Sequence, residues 1–191
     1  MPRLPTLLCF AMLALTPLPA QDTLRVAPGQ AALLGVRFPE DVGPFAATRI
    51  TRYPDPALGM GVSYMAQGLR AEISIYVYPA PTDAPEDLLK SQFEVDWQGV
   101  RQYAEQSREM EVSVDGEGPV EITAEDGTIH AGFKGELTMR RQGQSHASFL
   151  YLFRKGDAFL KYRATYDRSI RLTLEPEVER FLRVTLASIE P

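Results

Sequence analysis

Cysteine is nearly absent from this chain of 191 residues. The single Cys9 excludes an intrachain disulfide framework and any cysteine-built zinc site. Histidine is almost as scarce, with two, so most metal centres and histidine-dependent catalytic schemes are short of parts. Asparagine does not occur, which removes every N-glycosylation acceptor. Basic residues are outnumbered, 20 Lys+Arg against 25 Asp+Glu, giving a net charge of −5 and a pI near 5.1. That balance argues against a general nucleic-acid binder, whose domains usually run strongly basic. There is no Gly-x-Ser-x-Gly elbow, phosphate-binding loop or dinucleotide-binding glycine pattern. Asp115-Gly116-Glu117-Gly118 lacks the ligand spacing of a calcium loop and reads as a hairpin turn. With 25 acids and nothing to single out a pair, carboxylate chemistry has no anchor in the sequence.

What is present begins with an address. Met1–Thr6 carries Arg3 and no acid, Leu7–Leu15 is an unbroken apolar run, and Thr16–Ala20 ends in a small residue before Gln21. This is the pattern of a secretory signal peptide over 1–20, and the run is about half the ~20 residues a helical membrane span needs. Cleavage after Ala20 removes Cys9 and leaves a chain without transmembrane span. The localisation implied is periplasmic or secreted, in a bacterium.

The chain as a whole has 45% hydrophobic and 24% charged residues, ordinary for a globular protein. Residues 21–44 read as an irregular lead-in, with only Val36–Pro39 strand-like, and 45–191 as a single α+β domain. Phe45–Tyr53, Met60–Ala66 and Leu69–Tyr78 read as strands, the last two paired across Gln67-Gly68. Pro85 to about Arg108 reads as a helix capped at Asp83 or Ala84, its core stripe Leu89, Phe93, Trp97, Val100 and Ala104 recurring every three or four residues. Met110–Val114 and Val120–Ala124 alternate as short strands around an Asp115–Pro119 turn. Thr128–Arg140, Ser145–Arg154 and Ala158–Tyr166 form a meander, and a helix from Pro176 to about Ile189 closes the chain. The fold expected is a twisted, mainly antiparallel sheet of six to seven strands packed by two amphipathic helices. A three-layer α/β/α sandwich is the alternative.

Strand register sorts side chains onto faces, because one residue of slip inverts every one of them. A two-residue Gly156-Asp157 turn places Phe153 opposite Leu160, Tyr151 opposite Tyr162 and Phe149 opposite Ala164. A three-residue Gln142-Gly143-Gln144 loop places Met139 opposite Ala147, Leu137 opposite Phe149 and Phe133 opposite Phe153. In the early hairpin, Met60 meets Ile75, Val62 meets Ile73 and Tyr64 meets Ala71. The reverse face of the meander then carries His130, Lys134, Glu136, Arg140, His146, Arg154, Lys161 and Arg163. Either it is solvated, with cationic stems lying over Leu150, Leu152 and Phe159, or a second helix layer covers it and pairs its charges. His130 and His146 fall on the order of 30 Å apart at strand rise, too far to share a metal ion.

Two groups stand out as a ligand or partner surface. Arg154, Lys161 and Arg163 share a face on which they can grip a carboxylate or phosphate. Tyr76 and Tyr78 project together from their strand, as residues that stack on sugars or anchor a protein do. No catalytic, cofactor-binding or metal-ligating residue emerges.

The runs Gly59-Met60-Gly61-Val62-Ser63-Tyr64, Tyr76-Val77-Tyr78 and Lys161-Tyr162-Arg163-Ala164-Thr165-Tyr166 resemble uncharacterised secreted proteobacterial proteins. The order of elements is similar to that of PsbP-like domains. The resemblance implies an extracytoplasmic accessory or binding module, often with helices on both sheet faces. Together these readings point to an exported, non-catalytic envelope module, without cofactor, that binds a protein, a glycan or a small anion. An envelope enzyme of carboxylate or tyrosine chemistry and a structural assembly subunit remain as alternatives.

Overall fold

The computed structural model describes residues 22–25, 32–33, 36–81, 87–106 and 110–189. The expected signal peptide and the expected cap and Pro85 start of the first helix lie outside them. Every strand pairing is antiparallel. Among the described residues the main sheet has nine strands rather than six or seven. In chain order these are β1 (Asp22–Arg25), β4 (Asp41–Val42), β5 (Phe45–Arg52), β6 (Met60–Ala66), β7 (Ala71–Pro79), β8 (Glu111–Thr123), β9 (Ile129–Arg141), β10 (Gln144–Lys155) and β11 (Ala158–Asp167), while β2 (Ala32–Leu33) and β3 (Val36–Arg37) pair apart from it. The spatial order is β1-β5-β6-β7-β11-β10-β9-β8, with β4 also on β5.

Part of the extra count comes from the stretch expected to be an irregular lead-in. β1 and β4 are too short to show a period in sequence, and they form by adding to the free edge of β5. The expected Asp115–Pro119 turn is not a turn. β8 runs straight through it with a bulge between Val114 and Gly116, as the outermost strand on its side. An edge strand tolerates Gly116, Gly118 and Pro119 because half its ladder groups are unpaired anyway. The bulged Asp115 accepts a hydrogen bond from the Thr138 hydroxyl at 2.5 Å and lies 3.3 Å from the Arg168 guanidinium.

Among the described residues two helices cover the sheet, one on each face, so the layering is that of the three-layer alternative. α2 (Arg171–Ser188) buries Leu174, Val178, Phe181, Leu182, Thr185 and Leu186. They pack with Phe149, Tyr151, Phe153, Leu160, Tyr162, Ala164 and Tyr166, the large core. This helix begins a turn and a half before Pro176, which it holds in its second turn; Leu172, whose carbonyl the proline cannot engage, is 91% exposed. α1 (Leu88–Gln106) buries Phe93, Trp97 and Ala104 on the other face, where Leu137, Leu150, Leu152 and Phe159 form a second core with Phe93 and Trp97. Residues 149 and 150 pointing to different helices is the strand alternation itself. No helix among the described residues is long and apolar enough to cross a membrane.

The β10–β11 register is as expected, with Phe153 opposite Leu160 and Tyr151 opposite Tyr162. In the early hairpin the partners slip by two, Met60 facing Val77 and Val62 facing Ile75, so each residue keeps its face. At β9 the slip is one. Gln142 and Gly143 alone form the loop, both at positive φ (49° and 80°), and Gln144 pairs with Arg141. Phe149 therefore faces Glu136, and Leu152 faces Phe133. Every β9 side chain changes face: Phe133, Leu137 and Met139 join the α1 layer. Lys134 and Glu136 turn to the α2 side, where the Lys134 ammonium lies 4.9 Å above the Phe149 ring and Arg171 pairs with Glu136 at 2.5 Å.

Candidate functional site

On its α1 side the sheet is open over β7 and β11, because the helix packs on β8, β9 and β10 and leaves these two strands beside it. Lys161 lies opposite Tyr76, Phe159 opposite Tyr78 and Arg163 opposite Ser74, so all four candidate side chains on these strands share the α1 face. Above them α1 supplies one row four residues apart, Leu88, Gln92, Asp96 and Val100. The third wall is Tyr53 with Ala57 and Leu58 of the 3-10 turn Pro56–Leu58. Together with Pro79 and Pro81 these residues line a pocket of about 540 Å³ that is open to solvent on one side.

Two glycines bring the third wall close. Gly59 has φ 64° and ψ −126°, and a Cβ there would fall 1.8 Å from the Val77 carbonyl oxygen. Only glycine permits both the conformation and the approach. Gly61 lies opposite Tyr76, and a Cβ there would stand 3.2 Å from the tyrosine ring.

The polar groups are few and connected. Asp96, its side chain 10% exposed, accepts hydrogen bonds from the Tyr78 hydroxyl at 2.6 Å and the Lys161 ammonium at 3.1 Å. That ammonium also sits 5.1 Å from the Tyr76 ring centre and 5.4 Å from that of Tyr78. Burial, and then the Asp96 charge beside it, raises the Tyr78 phenol far above its ordinary value. Burial pushes Tyr53 up to about 12, with Tyr76 adding to the effect and Arg49 opposing it.

Arg163 is different. Its Nη2 donates to the Ser148 hydroxyl at 3.2 Å, and its buried Nε has no acceptor. No carboxylate among the described residues pairs with it. Burial lowers the pKa of the guanidinium, against weaker opposing effects of Tyr76, Asp96 and Tyr103.

Arg154 shares the face but not the pocket. Opposite Phe159, it donates from Nε to the Gly156 carbonyl at 3.2 Å and from Nη2 to the Pro81 carbonyl at 3.5 Å. The cations therefore do not converge as a trio. Gln92 and Asp96 escape the sequence reading, although two polar residues four apart beside the Phe93–Trp97 stripe are a visible signal. His130 and His146 stand apart, paired with Ile122 on β8 and with Met139 on β9. Among the described residues no cluster of three or more His, Cys, Asp or Glu side chains could hold a metal.

No family model matches the chain, and no curated protein does. Among solved structures it is similar to cyanobacterial PsbP (CyanoP) from Synechocystis sp. PCC 6803, at 8% identity and a TM-score of 0.49, covering 93% of this chain and 96% of that one. A Pseudomonas aeruginosa protein of unknown function, PA94, matches at 13% identity and 0.43, over 74% and 95%. The Saccharomyces cerevisiae Ran-binding protein Mog1p matches at 13% and 0.39, over 73% and 80%. The reading of the pocket rests on its own residues.

Proposed function

We propose that this chain is an exported, non-catalytic binding module, and that its site is the pocket between α1, β7 and β11. The observation that carries the reading is the pocket's construction. Its walls are aromatic and aliphatic, Tyr53, Tyr76, Leu58, Leu88, Val100 and Phe159, and a small set of polar side chains is held in place among them. At about 540 Å³ it has the size of a small-molecule site. A small molecule fits better than a glycan, because Lys161 already lies over the tyrosine rings a sugar would stack on.

Export is part of the proposal and rests on the 1–20 pattern. N-terminal mass analysis of the protein from its native envelope should give Gln21, and retention of Met1 would remove that element. Ala57 tests the pocket because it is exposed at the rim. Ala57→Trp should leave the melting temperature unchanged while abolishing the thermal shift produced by any small molecule that stabilises the wild type. Stabilisation that survives Ala57→Trp places the binding elsewhere and overturns the reading.

A further inference from the structure

We propose that the pocket's ligand is a monocarboxylate with an apolar or aromatic body, received by Arg163 rather than by Lys161 or Arg154. This deepens the pocket reading and rests on it.

The three cations differ in what already satisfies them. Arg154 does not line the pocket and donates to two backbone carbonyls, those of Gly156 and Pro81. Lys161 is neutralised by Asp96 and seated over two rings. Arg163 lines the pocket with one neutral hydroxyl as its hydrogen-bonding partner among the described residues and with Nε buried and unpartnered. A cation held partly out of water without a counter-charge is costly, and an anion brought by a ligand supplies that charge. Desolvation is also what lowers the arginine's pKa.

The same inventory limits the ligand's charge. One uncompensated guanidinium balances one negative charge, and its planar fork matches a carboxylate. A phosphate dianion would leave its second charge against apolar walls. An organic cation would seek an aromatic cage with a carboxylate, but Tyr76, Tyr78 and Asp96 already enclose the ammonium of Lys161. Leu58, Leu88, Val100 and Phe159 are left to contact an apolar body.

Four probes of closely matched size separate these cases: phenylbutyrate, its amide, phenylbutylamine and phenylpropylphosphonate, titrated calorimetrically near neutral pH. Phenylbutyrate should bind the wild type about tenfold or more tighter than the amide, the worth of a charge-assisted hydrogen bond, and tighter than the amine and phosphonate. Arg163→Met should fold, melt no lower than wild type, and bind acid and amide within about twofold of each other; Arg163→Gln gives the same comparison if the thioether disturbs packing. An amide, amine or phosphonate that binds as well as the acid overturns the carboxylate assignment, as does a preference that survives at position 163. If such binding is still lost in Ala57→Trp, the pocket reading stands without it. Binding of no probe, or binding indifferent to Ala57→Trp, overturns both.

Discussion

The indole of Trp97 occupies the space a side chain on Gly135 would need: a Cβ built there falls 2.7 to 2.8 Å from three ring carbons. The ring cannot easily retreat. It stacks on Phe93 at 6.2 Å between centroids, its N–H donates to Glu117 on β8, and the residue is 3% exposed. Gly135→Ala should therefore destabilise by about 1–3 kcal/mol, the cost of overpacking a filled core. Trp97→Ala should cost about 3–5 kcal/mol. The two are coupled, so the double variant should lose clearly less than the sum in denaturant melts, and strict additivity would refute the contact.

Asp96 is the polar centre of the pocket, and its two partners make its removal and theirs interdependent. Lys161→Met leaves a largely buried carboxylate with the Tyr78 hydroxyl but no counter-charge, and Asp96→Asn leaves the ammonium over the rings without its counter-charge. A fully buried pair broken this way costs about 3–5 kcal/mol; with Lys161 23% exposed, about 1–3 kcal/mol is expected for each variant. Combining Lys161→Met with Asp96→Asn should cost less than the two apart. Independent effects in a double-mutant cycle would show that the triad does not act as a unit.

Six of the eight tyrosines have raised phenol pKa values, burial being the first cause in each: Tyr53, Tyr64, Tyr78, Tyr151, Tyr162 and Tyr166. A raised value means the folded state holds the proton more tightly than the unfolded state, where tyrosine titrates near 10. Their contribution to stability is complete below about pH 10 and is lost as pH rises beyond it, through about 12 at Tyr53 and further for the others. Melting temperature should fall steeply above about pH 10, and phenolate absorbance from these residues should appear together with unfolding. Smooth ionisation of all tyrosines near 10 in a chain still folded would contradict their burial.

What the sequence discloses of this fold follows from parity. The α2 stripe and the Phe93–Trp97 stripe are legible because a helix has one buried side and its period marks it. Misplacing the β6–β7 partners by two leaves Tyr64 and Ile73 on their own faces, so the error is harmless. One residue at Gln144 moves Lys134 and Glu136 from one helix layer to the other, and hydrophobicity does not forbid it, since Phe133, Leu137 and Phe149 are apolar in either pairing. Tyr76, Tyr78, Lys161 and Arg163 can be placed on one face by counting along two strands. Asp96 cannot, because it reaches them from a helix far away in sequence, and only the helix's seat on that face brings it there.

The loop that sets the β9–β10 register offers the sharpest local test. Gln142 is the one residue other than glycine with positive φ among the described residues, and Gly143 follows it with positive φ as well. A side chain in the left-handed region costs roughly 1–2 kcal/mol, and asparagine bears this conformation better than glutamine. Two-residue loops with both residues at positive φ favour Asn-Gly for the same reason. Gln142→Asn should therefore stabilise by about 0.5–1 kcal/mol, raising the melting temperature by a few degrees in a chain of this length. Gly143→Ala is the complementary measurement. A Cβ there meets nothing within 4 Å, so its cost comes from the backbone alone and should be about 1–2 kcal/mol. If Gly143→Ala is neutral, or Gln142→Asn destabilises, the two-residue loop is wrong, and with it the register that turns Glu136 toward Arg171 and Phe133 toward Phe93.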